Sequence, residues 1–151
     1  MNLYLNKIKI QFGLLIIFFL LSCSNNPEPI AYGKDSCDFC RMVIVDNKFG
    51  CEIFTKKGRT YKFDAIEFLV NYLRTKKNDT ADIKSKTVTD YSNPIVTINA
   101  EKAFYLSSEN IPSPMAANIS AYQYDHVRNH YRDKNLGNAW SWEQVMQYTP
   151  L

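Results

Sequence analysis

Along this chain the apolar positions change period several times, and each change marks an element. Met42-Val43-Ile44-Val45 is a run rich in β-branched residues and predicts a strand. Asp46-Asn47-Lys48 turns the chain, Gly50 ends the turn, and Cys51 to Thr55 predicts a second strand. Lys56-Lys57-Gly58-Arg59 is a hairpin signal, after which Thr60 to Phe63 predicts a third. The period then lengthens. Ile66, Leu69, Val70 and Leu73 recur at helical spacing, with Asp64 as the expected N-cap and Glu67 as its capping-box partner. Residues 75–92 are polar and charged and read as a long loop. Pro94 to Ile98 and Ala103 to Leu106 read as strands, and Ser107 to Ala117, with Pro112 and Pro114, as a loop. Asn118 to Gln123 predicts another strand, and Asp125 opens a helix to about Lys134. Ser141, with Gln144 three residues on, opens a short last helix carrying Trp142, Val145 and Met146.

The order strand, Phe63-Asp64, helix is echoed by strand, Tyr124-Asp125, helix. An α+β domain of ββαβ-type units, with small antiparallel sheets and packed helices, accounts for the echo. A coincidence of capping accounts for it as well.

The first 22 residues have a different character. Lys7 and Lys9 precede an apolar run from Phe12 to Leu21, broken only by Gly13. The run is too short for an ordinary span of about 20 residues and suits the h-region of a signal peptide. Leu20-Leu21-Ser22-Cys23 resembles a bacterial lipobox, with Leu21 a less usual occupant. Residues 1–22 are therefore expected to be a lipoprotein signal peptide and Cys23 the lipidated residue. An uncleaved anchor is the alternative, and both tether the domain on the periplasmic side of the cell envelope. Residues 23–34, with Asn, Pro and Gly and no apolar period, read as the tether, and 35–151 as the domain.

Charge narrows the function. The chain has 18 Lys+Arg and 15 Asp+Glu, and removal of Lys7 and Lys9 brings it closer to balance. That leaves no electrostatic footprint for nucleic acid. Of the four cysteines, Cys37, Cys40 and Cys51 remain after Cys23. An odd number argues against a simple disulfide scaffold.

The chemistry is concentrated in Cys37-Asp38-Phe39-Cys40-Arg41-Met42. Thiolate and thioether are soft donors of the kind that select Cu(I). Covalent haem attachment needs a His where Arg41 stands. Thioredoxin-like exchange needs a helix after the first cysteine, and strand formers follow instead. Structural zinc needs two further ligands, and no second knuckle exists. A plain disulfide stays open. If the strand begins at Cys40, the Cys40 and Met42 side chains share a face and Cys37 folds back over them. Met42 as a core gap-filler is the competing reading. Met115 sits in the proline-stiffened Ile111-Pro112-Ser113-Pro114-Met115-Ala116-Ala117, outside any periodic segment. Met146, at a core-facing spacing from Trp142, reads as packing, and Cys51 as a buried inert thiol. His126 and His130 share a helix face at chelating spacing but read as surface residues, with no carboxylate partner visible.

Four stretches together resemble the NosL family of copper-binding lipoproteins, accessory to nitrous oxide reductase. They are Tyr32 to Ile44 with its Cys-x-x-Cys-x-Met, Phe49-Gly50, Gly58-Arg59-Thr60-Tyr61-Lys62-Phe63-Asp64, and Ser113-Pro114-Met115. The resemblance implies a Cu(I) metallochaperone with Cys37, Cys40, Met42 and Met115 as ligand candidates. It implies nitrous oxide reductase or another copper enzyme as client, an ABC-type membrane complex as partner, and an organomercurial-lyase-like fold. Ala116-Ala117 depart from the glycines expected there, and Cys51 from a small residue such as Ala. The reading is a non-enzymatic carrier. The alternatives are a tethered thiol–disulfide oxidoreductase using Cys37/Cys40, and a structural zinc or disulfide domain that only binds partners.

Overall fold

The computed structural model describes residues 26–76 and 80–148. The apolar run, the lipobox and Cys23 lie outside them. Among the described residues no helix is long and apolar enough to cross a membrane. The elements are β1 Cys51–Thr55, β2 Thr60–Phe63, α1 Ile66–Thr75, β3 Ile83–Thr89, β4 Thr97–Asn99, β5 Phe104–Ser107, β6 Ile119–Tyr122, α2 Asp125–Asn135, β7 Asn138–Trp140 and α3 Trp142–Tyr148.

The strands form two antiparallel sheets, β2-β1-β3-β4 and β6-β5-β7. The expected α+β class is what forms, and the echo is real. In each half the first strand is central, paired with the second and, after a helix, with the third. Both halves are ββαβ units, with β4 added to the first. One contiguous core joins them. Ile53, Phe63, Leu69 and Val70 of the first unit belong to the same buried cluster as Tyr105, Leu106 and Ile119 of the second. The Tyr91 N–H donates to the Ala121 carbonyl across the join at 2.8 Å, beside the aromatic cluster Phe49, Tyr91, Tyr122 and Tyr131.

Several expectations fail for local reasons. Residues 83–89, read as loop, form β3. Only Ile83 and Val88 are apolar there, so no hydrophobic period announces it, and pairing with both β1 and β4 fixes it instead. Met42 to Val45 contributes only an isolated bridge, Val43 with Ser36. The strand expected over Pro94 to Ile98 begins only at Thr97, and β7 carries no alternating pattern. Asp64 does not cap α1. The N-cap position is Ala65, no side chain caps it, and Asp64 and Glu67 are both buried. The Ser141–Gln144 capping box does form, with the Ser141 N–H donating to Gln144 Oε1 at 2.8 Å and the Gln144 N–H to Ser141 Oγ at 3.4 Å.

Within the stretch expected to be tether, residues 26–34 lie against the domain. Ile30 and Tyr32 pack on the core, and the Glu28 N–H donates to Thr60 Oγ1. Between α2 and β7 the chain passes Gly137 at φ 120°, where an added Cβ would lie 2.3 Å from the Ser107 carbonyl oxygen. Gly137→Ala therefore forces the backbone apart as well as into a disfavoured conformation. It is expected to cost roughly 1–3 kcal/mol, read as a lower urea midpoint at unchanged m-value.

Candidate metal centre

The Cys37–Cys40 knuckle is the tip of a narrow excursion that runs out and back. The Gly33 N–H donates to the Ile44 carbonyl at 2.8 Å, the Ile44 N–H to Asp35 at 2.9 Å, and the Cys37 N–H to Met42 at 2.8 Å. The Arg41 N–H closes the loop onto the Cys37 carbonyl at 2.9 Å, and Arg41 takes a left-handed φ of 68°. That reversal between Cys40 and Met42 removes the strand alternation expected to put both side chains on one face. Met42 is instead half exposed, at 46%.

Asp38 anchors the knuckle to β2. Its N–H donates to the Lys62 carbonyl at 2.8 Å, and Lys62 N–H returns a bond to Asp38 Oδ2 at 2.8 Å. The Lys62 ammonium reaches the Asp35 carboxylate at 2.7 Å and the Pro29 carbonyl at 3.1 Å. Burial works against the lysine charge, but the bonds to Asp35 and Glu28 outweigh it and hold its pKa above the ordinary value. The same hydrogen bond from Lys62 holds Asp35 below the usual carboxylate range.

The thiols of Cys37, Cys40 and Cys51 are free. Cys37 is fully buried, Cys40 half-buried, and the two thiols are electrostatic neighbours. Burial raises the Cys40 pKa, a hydrogen bond from the Met42 backbone opposes this, and the neighbouring Cys37 adds to the rise. Cys40 is thus a protonated thiol at neutral pH, and a cation bound there displaces its proton. Cys51 lies within electrostatic reach of Cys37, but its own thiol donates to the Phe49 carbonyl at 3.1 Å, and burial pushes its pKa well up. That is the inert buried thiol expected.

Met115 lies on a turn of the loop between β5 and β6. The Ala116 N–H donates to the Ser113 carbonyl at 3.0 Å, and the Asn118 N–H to Ser113 Oγ at 3.0 Å. The Ser113 hydroxyl donates to Glu67 Oε1 at 3.0 Å. The next helix residue, Phe68, packs its ring against Phe39 of the knuckle, centroids 5.6 Å apart. Consecutive residues of one helical turn therefore hold the two sulfur-bearing segments. Met115 is 45% exposed. Met146 packs on the core, as expected. His126 and His130 are exposed on α2, the first stacked on Tyr124 and the second edge-on to Tyr131. Among the described residues no three His, Cys, Asp or Glu side chains gather into a metal-binding group.

Two carboxyls are buried near the cysteines, Asp64 within electrostatic reach of Cys40 and Glu67 of Cys51, and sequence reading missed them by assigning them to a cap. Burial raises the pKa of both Asp64 and Glu67, and Asp64 Oδ1 and Glu67 Oε2 have no hydrogen-bond partner. An Asp-x-x-Glu ahead of an apolar helix carries the same signal whether it caps or is buried.

The sequence matches the model of the NosL family over residues 30–149. The chain belongs to the NosL family. The matched span takes in the knuckle, the Met115 turn and every described element of both units. Among solved structures, the fold is similar to the crystal structure of the copper chaperone NosL from Shewanella denitrificans. The TM-score is 0.66 at 17% identity, covering 80% of this chain and 96% of that one. The comparison with curated proteins gave no match.

Glu67 provides a pH test. Its folded pKa lies above the unfolded value of about 4.3, so ionising it costs stability. The cost is full above the folded pKa and vanishes as pH falls below the unfolded one. Glu67→Gln is expected to shift Tm increasingly upward relative to wild type between pH 4 and pH 8. A difference that stays flat in paired thermal melts contradicts this.

Proposed function

We propose that this chain is a non-enzymatic Cu(I) carrier, lipid-anchored through Cys23 on the periplasmic side of the envelope. Its cargo passes to nitrous oxide reductase or another copper enzyme, in concert with an ABC-type membrane complex. Membership of the NosL family supports the reading, and the fold's match to a protein titled a copper chaperone agrees with it. The observation that carries it is the pair of free thiols at Cys37 and Cys40, set three residues apart in one loop closed by the Arg41 N–H on the Cys37 carbonyl. Two thiolates with a thioether suit Cu(I), which accepts few, soft ligands. Met115 is the thioether we assign, because the helix turn that holds the knuckle also holds its loop. Met42 is the second candidate.

The sealed Cys37 and the raised pKa of the more accessible Cys40 weigh against an exchange catalyst, whose attacking cysteine is accessible and activated by a lowered pKa. The raised pKa also sets the sign of a pH effect. Cu(I) competes with protons for the thiols, so affinity should rise as pH goes from 6 to 9 and level off above the thiol pKa.

The test is an anaerobic Cu(I) titration of residues 24–151 against a chromophoric chelator. Wild type should bind one ion tightly, Cys37→Ser/Cys40→Ser should lose it, and Met115→Ala should weaken it by roughly tenfold or more, about 1.4 kcal/mol. Protein oxidised to the Cys37–Cys40 disulfide should bind poorly until reduced. Unchanged binding by the double cysteine variant would sink the proposal. The anchor is tested separately, since Cys23→Ser should move the full chain from the membrane to the soluble fraction.

A further inference from the structure

We propose that Glu67 is the positioning residue for the Met115 thioether, setting through Ser113 the loop that presents this sulfur to the Cys37–Cys40 knuckle. The inference rests on the copper reading above and adds a residue that lies in none of the sulfur-bearing stretches.

Met115 is half exposed, so packing does not place its sulfur and the loop must. That loop is costly to hold. Ala116 takes a left-handed conformation, φ 64°, which alanine adopts only under constraint, and Asn118 takes another at φ 56°, which asparagine tolerates. The constraint runs through Ser113. Its carbonyl receives the Ala116 N–H, its hydroxyl oxygen receives the Asn118 N–H, and its own N–H donates to Asn118 Oδ1 at 3.2 Å. The one hydrogen of that hydroxyl goes to Glu67. Without this acceptor the hydroxyl is free to rotate and the loop loses its tie to α1.

Glu67 stands in the first turn of α1, where the helix dipole favours an acid, but the dipole does not require that the acid be buried. It is 3% exposed, it caps nothing, and its Oε2 lacks a partner. A buried acid with half its hydrogen-bonding capacity unused calls for a role that repays its desolvation. Its helix neighbour Phe68 grips Phe39, between the two cysteines. Glu67 and Phe68 together make α1 the ruler between thiols and thioether. Residues that orient metal ligands in this way typically contribute roughly 10- to 100-fold in affinity.

The experiment is the Cu(I) competition titration on wild type, Glu67→Ala, Ser113→Ala, Glu67→Gln and Met115→Ala, with Glu67→Ala/Met115→Ala closing a cycle. X-ray absorption of the loaded proteins counts the sulfur ligands. Glu67→Ala and Ser113→Ala should each weaken binding roughly 10- to 100-fold. The sulfur count should drop to the two cysteines. Glu67→Gln, which keeps an acceptor oxygen, should bind close to wild type. On the Met115→Ala background Glu67→Ala should add little, because its effect passes through Met115. In the metal-free reduced protein the 13C-methyl signal of Met115 should shift toward a solvent-averaged value in Glu67→Ala. Ser113→Ala carries the test if Glu67→Ala does not fold.

If Met115→Ala weakens binding while Ser113→Ala and Glu67→Ala bind as wild type, the positioning role is overturned and the copper reading stands. A full additional loss on the Met115→Ala background overturns it equally. Wild type that ignores Cu(I), or Met115→Ala that binds unchanged, removes the copper or thioether reading and this proposal with it.

Discussion

A carboxyl group with almost no access to water has to be held by the protein, and Glu67 is held by Ser113. That hydrogen bond crosses from the first ββαβ unit to the loop between β5 and β6 of the second. It sits in the first turn of α1, where Ile66, Phe68, Leu69 and Val70 are buried as well. Little in this turn can shift without disturbing both units. The knuckle side is secured independently, by the Lys62–Asp38 exchange of backbone and side-chain bonds and by the Lys62–Asp35 ion pair. The two sulfur-bearing segments are thus each tied to the first unit, one through β2 and the other through α1.

The elements legible in the sequence are those with a strong period or a local signal. β1 and β2 with their hairpin turn, α1, α2 and the boxed start of α3 fall where the pattern puts them. The ββαβ repeat was legible too, because strand, aromatic-Asp and helix recur in order. What was not legible depends on partners distant in sequence. β3 is a strand because two neighbours pair with it, not because Lys84, Ser85 and Lys86 favour one. Asp64 and Glu67 have the spacing of a cap, and only the path of the chain out of β2 shows that they turn inward.

The candidate site divides in the same way. The Cys37/Cys40 pair is visible from spacing alone. The link between Met115 and the knuckle is not, since it passes through Ser113, Glu67, Phe68 and Phe39, none of which carries a chemical flag. The strand argument that joined Met42 to Cys40 failed at one backbone angle, the left-handed Arg41.

Solvent access is graded across the sulfurs of this region: Cys37 is sealed, Cys40 partly open, and Met115 and Met42 nearly half in water. In the proposed site, the donors are therefore ordered from hidden and anionic to accessible and neutral. A donor atom approaching from another protein meets a thioether first, and a thioether leaves without needing a proton. Release would then begin at the weakest bond and proceed inward. Loading would run the same order in reverse, so in such a site the ion would pass between proteins by ligand exchange rather than through solvent.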